Sequence, residues 1–137
     1  MKVVVVIDSL KGSLSSIEAG EAAKAGILAA NSNATVVVKP LADGGEGTTE
    51  ALVAGMNGEL KNVEVCGPLH EKVCAQIGMI GETAVIEMAQ AAGLPLVAVE
   101  NRNPLVTTTY GVGEMIKNCI EAGCKKFIVG IGGSSTN

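Results

Sequence analysis

The chain alternates between hydrophobic runs and polar, glycine-rich loops. Residues 2–7 are an uninterrupted Val/Ile run, which is typical of a parallel strand buried on both faces. Ser15 and Glu18 have capping-box spacing and predict a helix that continues to about Ala30. Its expected apolar stripe consists of Ile17, Ala19, Ala23, Ile27 and Leu28. The apolar run at 35–38 completes a predicted βαβ unit.

The pattern changes after residue 56. Three close-spaced runs, at residues 60–66, 73–80 and 83–88, predict an antiparallel meander. Later runs predict a short helix at 88–92, a longer helix at 111–122 and a buried strand at 127–131. We therefore expect an α/β fold in two parts. Residues 1–56 would form a three-layer, parallel-sheet, Rossmann-like half. Residues 57–137 would begin a second, partly antiparallel α/β subdomain that is incomplete.

Composition excludes some classes of function. The net charge of −4 gives no reason to expect nucleic acid or an anionic membrane as a partner. No hydrophobic run has the length that a bilayer span requires. None of the four cysteines forms a C-x-x-C pair, which favours reduced thiols in a cytoplasmic protein over a zinc site.

Polar loops follow three of the predicted strands, at Asp8–Ser13, Asp43–Thr49 and Gly132–Asn137. Because the carboxyl ends of parallel strands lie at one edge of a sheet, these loops could converge on a site. In the middle loop, the carboxylates of Asp43 and Glu46 indicate a metal with phosphate, or a base beside a hydroxyl. The alternative is structural: Asp43 would cap the next helix and Glu46 would complete a capping box.

Other polar residues have competing interpretations. Lys11 is the only lysine in the three loops and would neutralise an anion, unless it is simply a solvated surface lysine. Ser134, Ser135 and Thr136 could donate to an anion or cap a helix, and the two roles are compatible. Glu87 and Gln90, one helical turn apart, could face the same cleft, but without further support a surface location is expected for them. The chain contains neither a Walker A sequence nor G-x-G-x-x-G, so a P-loop NTPase or a dinucleotide-binding fold is not supported.

The loops also match an ordered set of motifs. These are Asp8–Ser16, Ala42–Thr48, Gly67–Leu69, Ile86–Ala89, Gly93-Leu94, Asn103-Pro104, Thr108–Gly111, Gly113-Glu114 and Gly130–Asn137. In this order the chain resembles the bacterial glycerate kinase family, the two-domain kind. The family usually has Phe, Gly and Ala where Leu10, His70 and Ser135 stand. It also continues beyond the position of Asn137, so we expect this chain to be a truncated, N-terminal portion.

The resemblance implies ATP- and Mg²⁺-dependent phosphorylation of D-glycerate, with 2-phosphoglycerate favoured over 3-phosphoglycerate as the product. It implies catalytic roles for Lys11 and Asp43, and Mg²⁺ binding by Asp43 and Glu46. The implied substrate-binding residues are Asp8, Ser9, Gly44, Gly45 and Thr48. The implied phosphate-binding residues are Gly132, Gly133, Ser134, Thr136 and Asn137.

The resemblance further implies a cytoplasmic transferase of organic acid phosphorylation and glyoxylate metabolism, and a possible homo-oligomer. The alternative is a non-catalytic α/β module that binds a small phosphorylated metabolite. We expect the 137 residues alone to be inactive, because no helix follows the glycine-rich loop at 132–137 to aim its N–H groups at a phosphate.

Overall fold

A computed structural model describes residues 1–136 of the chain. It contains two compact units, Met1–Asp43 and a second unit that begins at Gly44. The helix at Thr48–Met56 therefore groups with the second compact unit. The domain division expected at residues 56 and 57 stays a prediction.

The first unit is the predicted βαβ arrangement. It consists of β1 (Lys2–Ile7), α1 (Ser16–Ala30) and β2 (Thr35–Pro40), and the two strands pair in parallel. The Ser15 hydroxyl accepts from the amide of Glu18, whose carboxylate accepts from the amide of Ser15. The capping box predicted at the start of α1 is therefore confirmed.

The buried face of α1 differs from the predicted stripe. Its buried residues are Ser16, Ala19 and Gly20, whereas Ile17 is 42% exposed. A Cβ on Gly20 would collide with the side chain of Val38, so the helix lies close on β2 at this point. The closest contact of α1 is thus made by small residues, while Ile27 and Leu28 of the predicted stripe are half-buried.

One face of β1 is exposed in this chain. Val4 is 55% exposed and Val6 is 53% exposed, whereas Val3 and Val5 between them are half-buried. In a strand, successive side chains point to opposite faces, and α1 packs against the β1–β2 sheet of its unit. The burial on both faces that is typical of such a Val/Ile run is thus not reached in this 137-residue chain, where one face of β1 is uncovered, as expected for a portion of a longer fold.

The second unit contains a four-stranded sheet and three α-helices among the described residues. Its elements are α2 (Thr48–Met56), β3 (Glu59–Cys66), β4 (Lys72–Ile80), β5 (Thr83–Glu87), α3 (Ala89–Ala92), 3₁₀ turns at Leu94–Leu96 and Val99–Asn101, α4 (Tyr110–Glu121) and β6 (Lys126–Gly130). The strand order is β3-β4-β5-β6. The first three strands form the predicted antiparallel meander, and β6 joins β5 in parallel, so the expected α/β fold is confirmed.

The second sheet has helices on both faces. Ile77 of β4 belongs to the core cluster that also contains Met115 of α4. A Cβ on the next residue, Gly78, would lie 2.7 Å from the side chain of Val53 in α2. Because successive β4 residues point to opposite faces, α2 and α4 cover opposite sides of this sheet.

Two burial predictions in the second unit are wrong. The strand β6 was expected to be buried, but Ile128 is 41% exposed and Val129 is 39% exposed, because β6 lies at the sheet edge. The helical spacing of Val112, Met115, Ile116, Cys119 and Ile120 predicts one apolar face of α4, but Ile120 is 56% exposed. Among the described residues, no helix combines the length and apolar character that crossing a membrane requires.

Candidate functional site

A lysine and a carboxylate meet in the loops of the first unit. The Nζ atom of Lys11 lies 3.6 Å from Oδ2 of Asp43, and the two side chains are 69% and 58% exposed. An ion pair this exposed contributes little to stability, so the fold alone does not require it. The pair presents opposite charges to solvent at the end of the first unit's sheet.

Two serine hydroxyls in the first unit differ in their hydrogen bonding. The Ser16 hydroxyl donates to the carbonyl of Ile7 (2.7 Å) and accepts from the amide of Leu41 (3.0 Å), which ties the ends of β1 and β2 together. The carboxylate of Asp8 accepts from the amide of Ser9 (2.7 Å). The Ser9 hydroxyl is buried and has no hydrogen-bond partner in the described part of the chain. Sequence analysis identified Asp8 and Ser9 but missed Ser16.

The glycine-rich loop of the second unit has left-handed backbone at two positions. Gly44 has φ 93° and Gly47 has φ 87°, conformations that glycine adopts without strain. Gly47 is the N-cap of α2 and no side chain caps it. The structural alternative, in which Asp43 caps α2 and Glu46 completes a capping box, is therefore wrong. Both carboxylates are exposed.

Thr48 contributes to the conformation of this loop. Its side chain is buried, and its hydroxyl donates to the carbonyl of Gly45 (2.8 Å). Gly45 is also buried. The hydroxyl proton of Thr48 is thus already used within the loop, which leaves only its lone pairs for a ligand.

Glu87 is buried, contrary to the surface location expected from the sequence. It ends β5, is 2% exposed, and accepts a hydrogen bond from the amide of Thr49 at 2.6 Å. Gln90 is half-buried and accepts from the amide of Gln76. The signal that could have located Glu87 is its position at the end of a continuous apolar run, Ala84-Val85-Ile86.

Two of the three predicted polar loops meet within the second unit. The amide of Gly132 donates to the carbonyl of Gly44 (3.1 Å). A Cβ on Gly130 would lie 2.5 Å from that same carbonyl oxygen, so only glycine permits this approach. The loop that begins α2 and the loop that follows β6 are therefore in direct backbone contact.

The loop after β6 also carries two hydroxyl groups close together. The Oγ atom of Ser134 accepts from the amide of Thr136 (3.0 Å) and lies 2.8 Å from its hydroxyl. Gly133 is exposed and has φ 73°. The neighbouring Ser135 is buried, and its amide and hydroxyl both donate to the carbonyl of Ala92. The implied role of Asn137 falls outside the described residues.

The described residues contain no group of three or more His, Cys, Asp or Glu side chains that could hold a metal ion. Magnesium is commonly bound by one or two carboxylates together with substrate phosphates and water. The exposed carboxylates of Asp43 and Glu46 have the oxygen chemistry that such a shared site needs.

The four cysteines are free thiols. Cys119 and Cys124 are buried, Cys66 is half-buried and Cys74 is exposed. Burial, with a smaller effect of the neighbouring Cys124, raises the pKa of the Cys119 thiol to about 11. A thiol that stays protonated at neutral pH is a poor nucleophile and metal ligand, so Cys119 belongs to the core rather than to a site.

Comparison with known proteins identifies the family. The model of the Glycerate kinase family matches residues 3–137. Over 139 aligned residues, the chain is 50% identical to the glycerate kinase of Bacillus subtilis (strain 168) and 49% identical to the glycerate 2-kinase of Escherichia coli (strain K12). Each alignment covers 100% of this chain and 36% of the relative.

Structural comparison agrees. A solved structure from Salmonella typhimurium LT2 that carries the name glycerate kinase 2 matches with a TM-score of 0.84 and 46% identity. The match covers 100% of this chain and 37% of that chain. The present chain thus spans little more than a third of the length of the relatives it matches. Since the family model matches nearly all of its residues, the chain belongs to the glycerate kinase family.

Proposed function

We propose that the protein to which this chain contributes transfers the γ-phosphoryl group of ATP to a hydroxyl of D-glycerate. The family match supports the reaction class. The observation that carries the proposal structurally is the exposed pair of Lys11 and Asp43, a cation and a carboxylate 3.6 Å apart. Phosphoryl transfer depends mainly on positioning and on neutralising charge, and this pair has the groups for both.

Asp43 accepts the proton of the attacking glycerate hydroxyl, or instead holds magnesium, in this proposal. Its side chain is 58% exposed, and the N-cap residue of α2 is Gly47 rather than Asp43. Lys11 binds the glycerate carboxylate or a phosphate oxygen, and its ammonium also orients Asp43. A positioned general base typically contributes about 10² to 10⁴ in rate.

The substrate is held by groups from two loops. Asp8 and Ser9 lie beside the Lys11 turn in the sequence, and the unpartnered Ser9 hydroxyl is the donor we assign to a substrate oxygen. Gly44, Gly45 and Thr48 contribute backbone and a hydroxyl lone pair, since the Thr48 proton bonds Gly45.

The phosphate groups of ATP are assigned to the loop after β6. Exposed Gly133 allows backbone to approach a phosphate closely, as does Gly132 beside it, and the hydroxyls of Ser134 and Thr136 can donate to its oxygens. Asn137 completes this motif by resemblance. Magnesium, bound by Asp43 and Glu46 together with phosphate oxygens, would neutralise charge on the transferred group.

The product and the cellular role are finer assignments within this proposal. We favour 2-phosphoglycerate as the product, because one relative is named glycerate 2-kinase. We further propose a cytoplasmic enzyme of organic acid phosphorylation in glyoxylate metabolism, one that could form a homo-oligomer. The second candidate remains a non-catalytic module that binds a phosphorylated metabolite through the same glycine-rich loops.

The test uses a chimera in which this chain replaces the matching segment of the Bacillus subtilis relative. The chimera is incubated with ATP, Mg²⁺ and D-glycerate, and the products are followed by phosphorus NMR. We expect ADP and 2-phosphoglycerate to appear together. If the unmodified relative turns over while the folded chimera only binds ATP in a calorimetric titration, the kinase proposal is wrong and the binding module is favoured.

A further inference from the structure

The start of α2 is capped from a distant strand. Its N-cap residue, Gly47, has no side chain to accept from the first-turn amides. The amide of Thr49 is instead bonded to the carboxylate of Glu87, 38 residues away in the chain. The donor–acceptor distance of this bond is 2.6 Å.

Glu87 sits where three elements of the second unit meet. In the β5–β6 pairing it lies opposite Gly130, and the next residue, Met88, donates its amide to the carbonyl of Gly130. Gly130 in turn packs against the carbonyl of Gly44. A carboxylate that is 2% exposed is retained at this junction, although burying a charge is unfavourable unless it has specific partners.

The side chain of Thr49 does not provide an alternative anchor. Its hydroxyl is buried without a hydrogen-bond partner among the described residues. Its methyl group packs against Gly78, because a Cβ on Gly78 would lie 3.0 Å from that methyl carbon. The polar attachment that the structure shows for Thr49 is therefore its amide bond to Glu87.

We propose that Glu87 is a positioning residue that fixes the loop Gly44–Thr48 through the Thr49 amide. The Glu87 carboxyl group thereby satisfies a first-turn amide of α2, which Gly47 has no side chain to do. The catalytic consequence rests on the proposed function, whereas the positioning itself does not.

The direct test is amide hydrogen exchange in the 137-residue chain. Glu87→Met keeps the side-chain length but removes the acceptor, and Glu87→Gln keeps an accepting oxygen but removes the charge. We expect Glu87→Met to accelerate exchange of the Thr49 amide by about tenfold or more, the value of a lost hydrogen bond, and Glu87→Gln by less than about threefold. The Ala19 amide, bonded within α1, is the control and should not change.

An unchanged Thr49 exchange rate in a folded Glu87→Met variant would overturn the proposal. If that variant does not fold, the Thr49 amide proton shift in Glu87→Gln decides. We expect it to move upfield as the charged bond weakens, and no movement would contradict the proposal.

A kinetic measurement in the chimera separates positioning from stability. Glu87→Met should lower kcat by about tenfold or more at a temperature where the variant is fully folded, and Glu87→Gln should restore most of it. A purely structural role would change the melting temperature and leave kcat of the folded enzyme unchanged. If the chimera lacks kinase activity altogether, the proposed function fails, while the exchange measurement still decides the positioning claim.

Discussion

The Thr49 hydroxyl is a buried polar group with no hydrogen-bond partner in the described part of the chain. Thr49→Val keeps the shape and removes the hydroxyl, so we expect the free energy of unfolding to rise by about 1–2 kcal/mol. Thr48→Val is the matched control, because it breaks the bond to Gly45 and should lower stability by about 1 kcal/mol. Urea denaturation measures both, and a less stable Thr49→Val would show that this hydroxyl has a partner.

The Lys11 side chain is expected to matter for binding and not for stability. Its ion pair with Asp43 is exposed, so Lys11→Met should change the free energy of unfolding by less than about 1 kcal/mol. In the chimera, KM for ATP or D-glycerate should rise, because a charge that binds an anion is lost. Lys72→Met removes another exposed lysine, paired with Glu64, and is the control for charge loss elsewhere. Equal effects of the two variants on KM would assign Lys11 to the solvated surface.

The raised pKa of the Cys119 thiol should make the free energy of unfolding fall at alkaline pH. This thiol keeps its proton until a pKa of about 11 in the folded chain, against an ordinary value of 9.0. Between these pH values, unfolding releases a proton. The stability that the protonated Cys119 thiol contributes is therefore fully present below about pH 9 and is lost towards pH 11. Between about pH 8.5 and about pH 10.5, the free energy of unfolding of Cys119→Ala should fall less than that of the unmodified chain. The size of the difference follows from the size of the pKa shift. The exposed Cys74, changed to Ala, should leave the loss unaltered.

At the scale of elements, the hydrophobic runs located the helices and strands well. The Ser15 and Glu18 capping box and the meander were predictable because they depend on neighbouring residues. The burial of side chains was less predictable, because side chains of β6 are exposed and this strand lies at the edge of the sheet. The cap of α2 was mispredicted because its acceptor, Glu87, comes from a strand that is distant in the chain.

The contact between the two loops of the second unit depends on Gly130. Gly130→Ala would place a Cβ 2.5 Å from the carbonyl oxygen of Gly44, so the loops must separate. We expect a loss of about 1–3 kcal/mol in the free energy of unfolding, as for other overpacked sites. Gly113→Ala is the control: it lies in α4 with open space around it and should gain about 0.5–1 kcal/mol. Similar effects from both substitutions would contradict the close approach.

At the scale of the whole molecule, each compact unit carries part of the predicted chemistry. The first contains Lys11 and Asp43, and the second contains Glu46 and the loop at residues 132–136. The chain spans 36% of the length of its Bacillus subtilis relative, so the proposed activity is measured in the longer chimera. The expectation that the 137 residues alone do not turn over stays a prediction, and an ADP-release assay on the isolated chain tests it.

The most direct test of the account is kcat of Asp43→Asn in the chimera with ATP, Mg²⁺ and D-glycerate. Asparagine keeps the size and hydrogen-bonding oxygen of the side chain but is a far weaker base. If Asp43 accepts the hydroxyl proton, kcat should fall by about 10²-fold or more while the melting temperature stays the same. An unchanged kcat with intact melting would contradict the assignment of Asp43 to the chemistry.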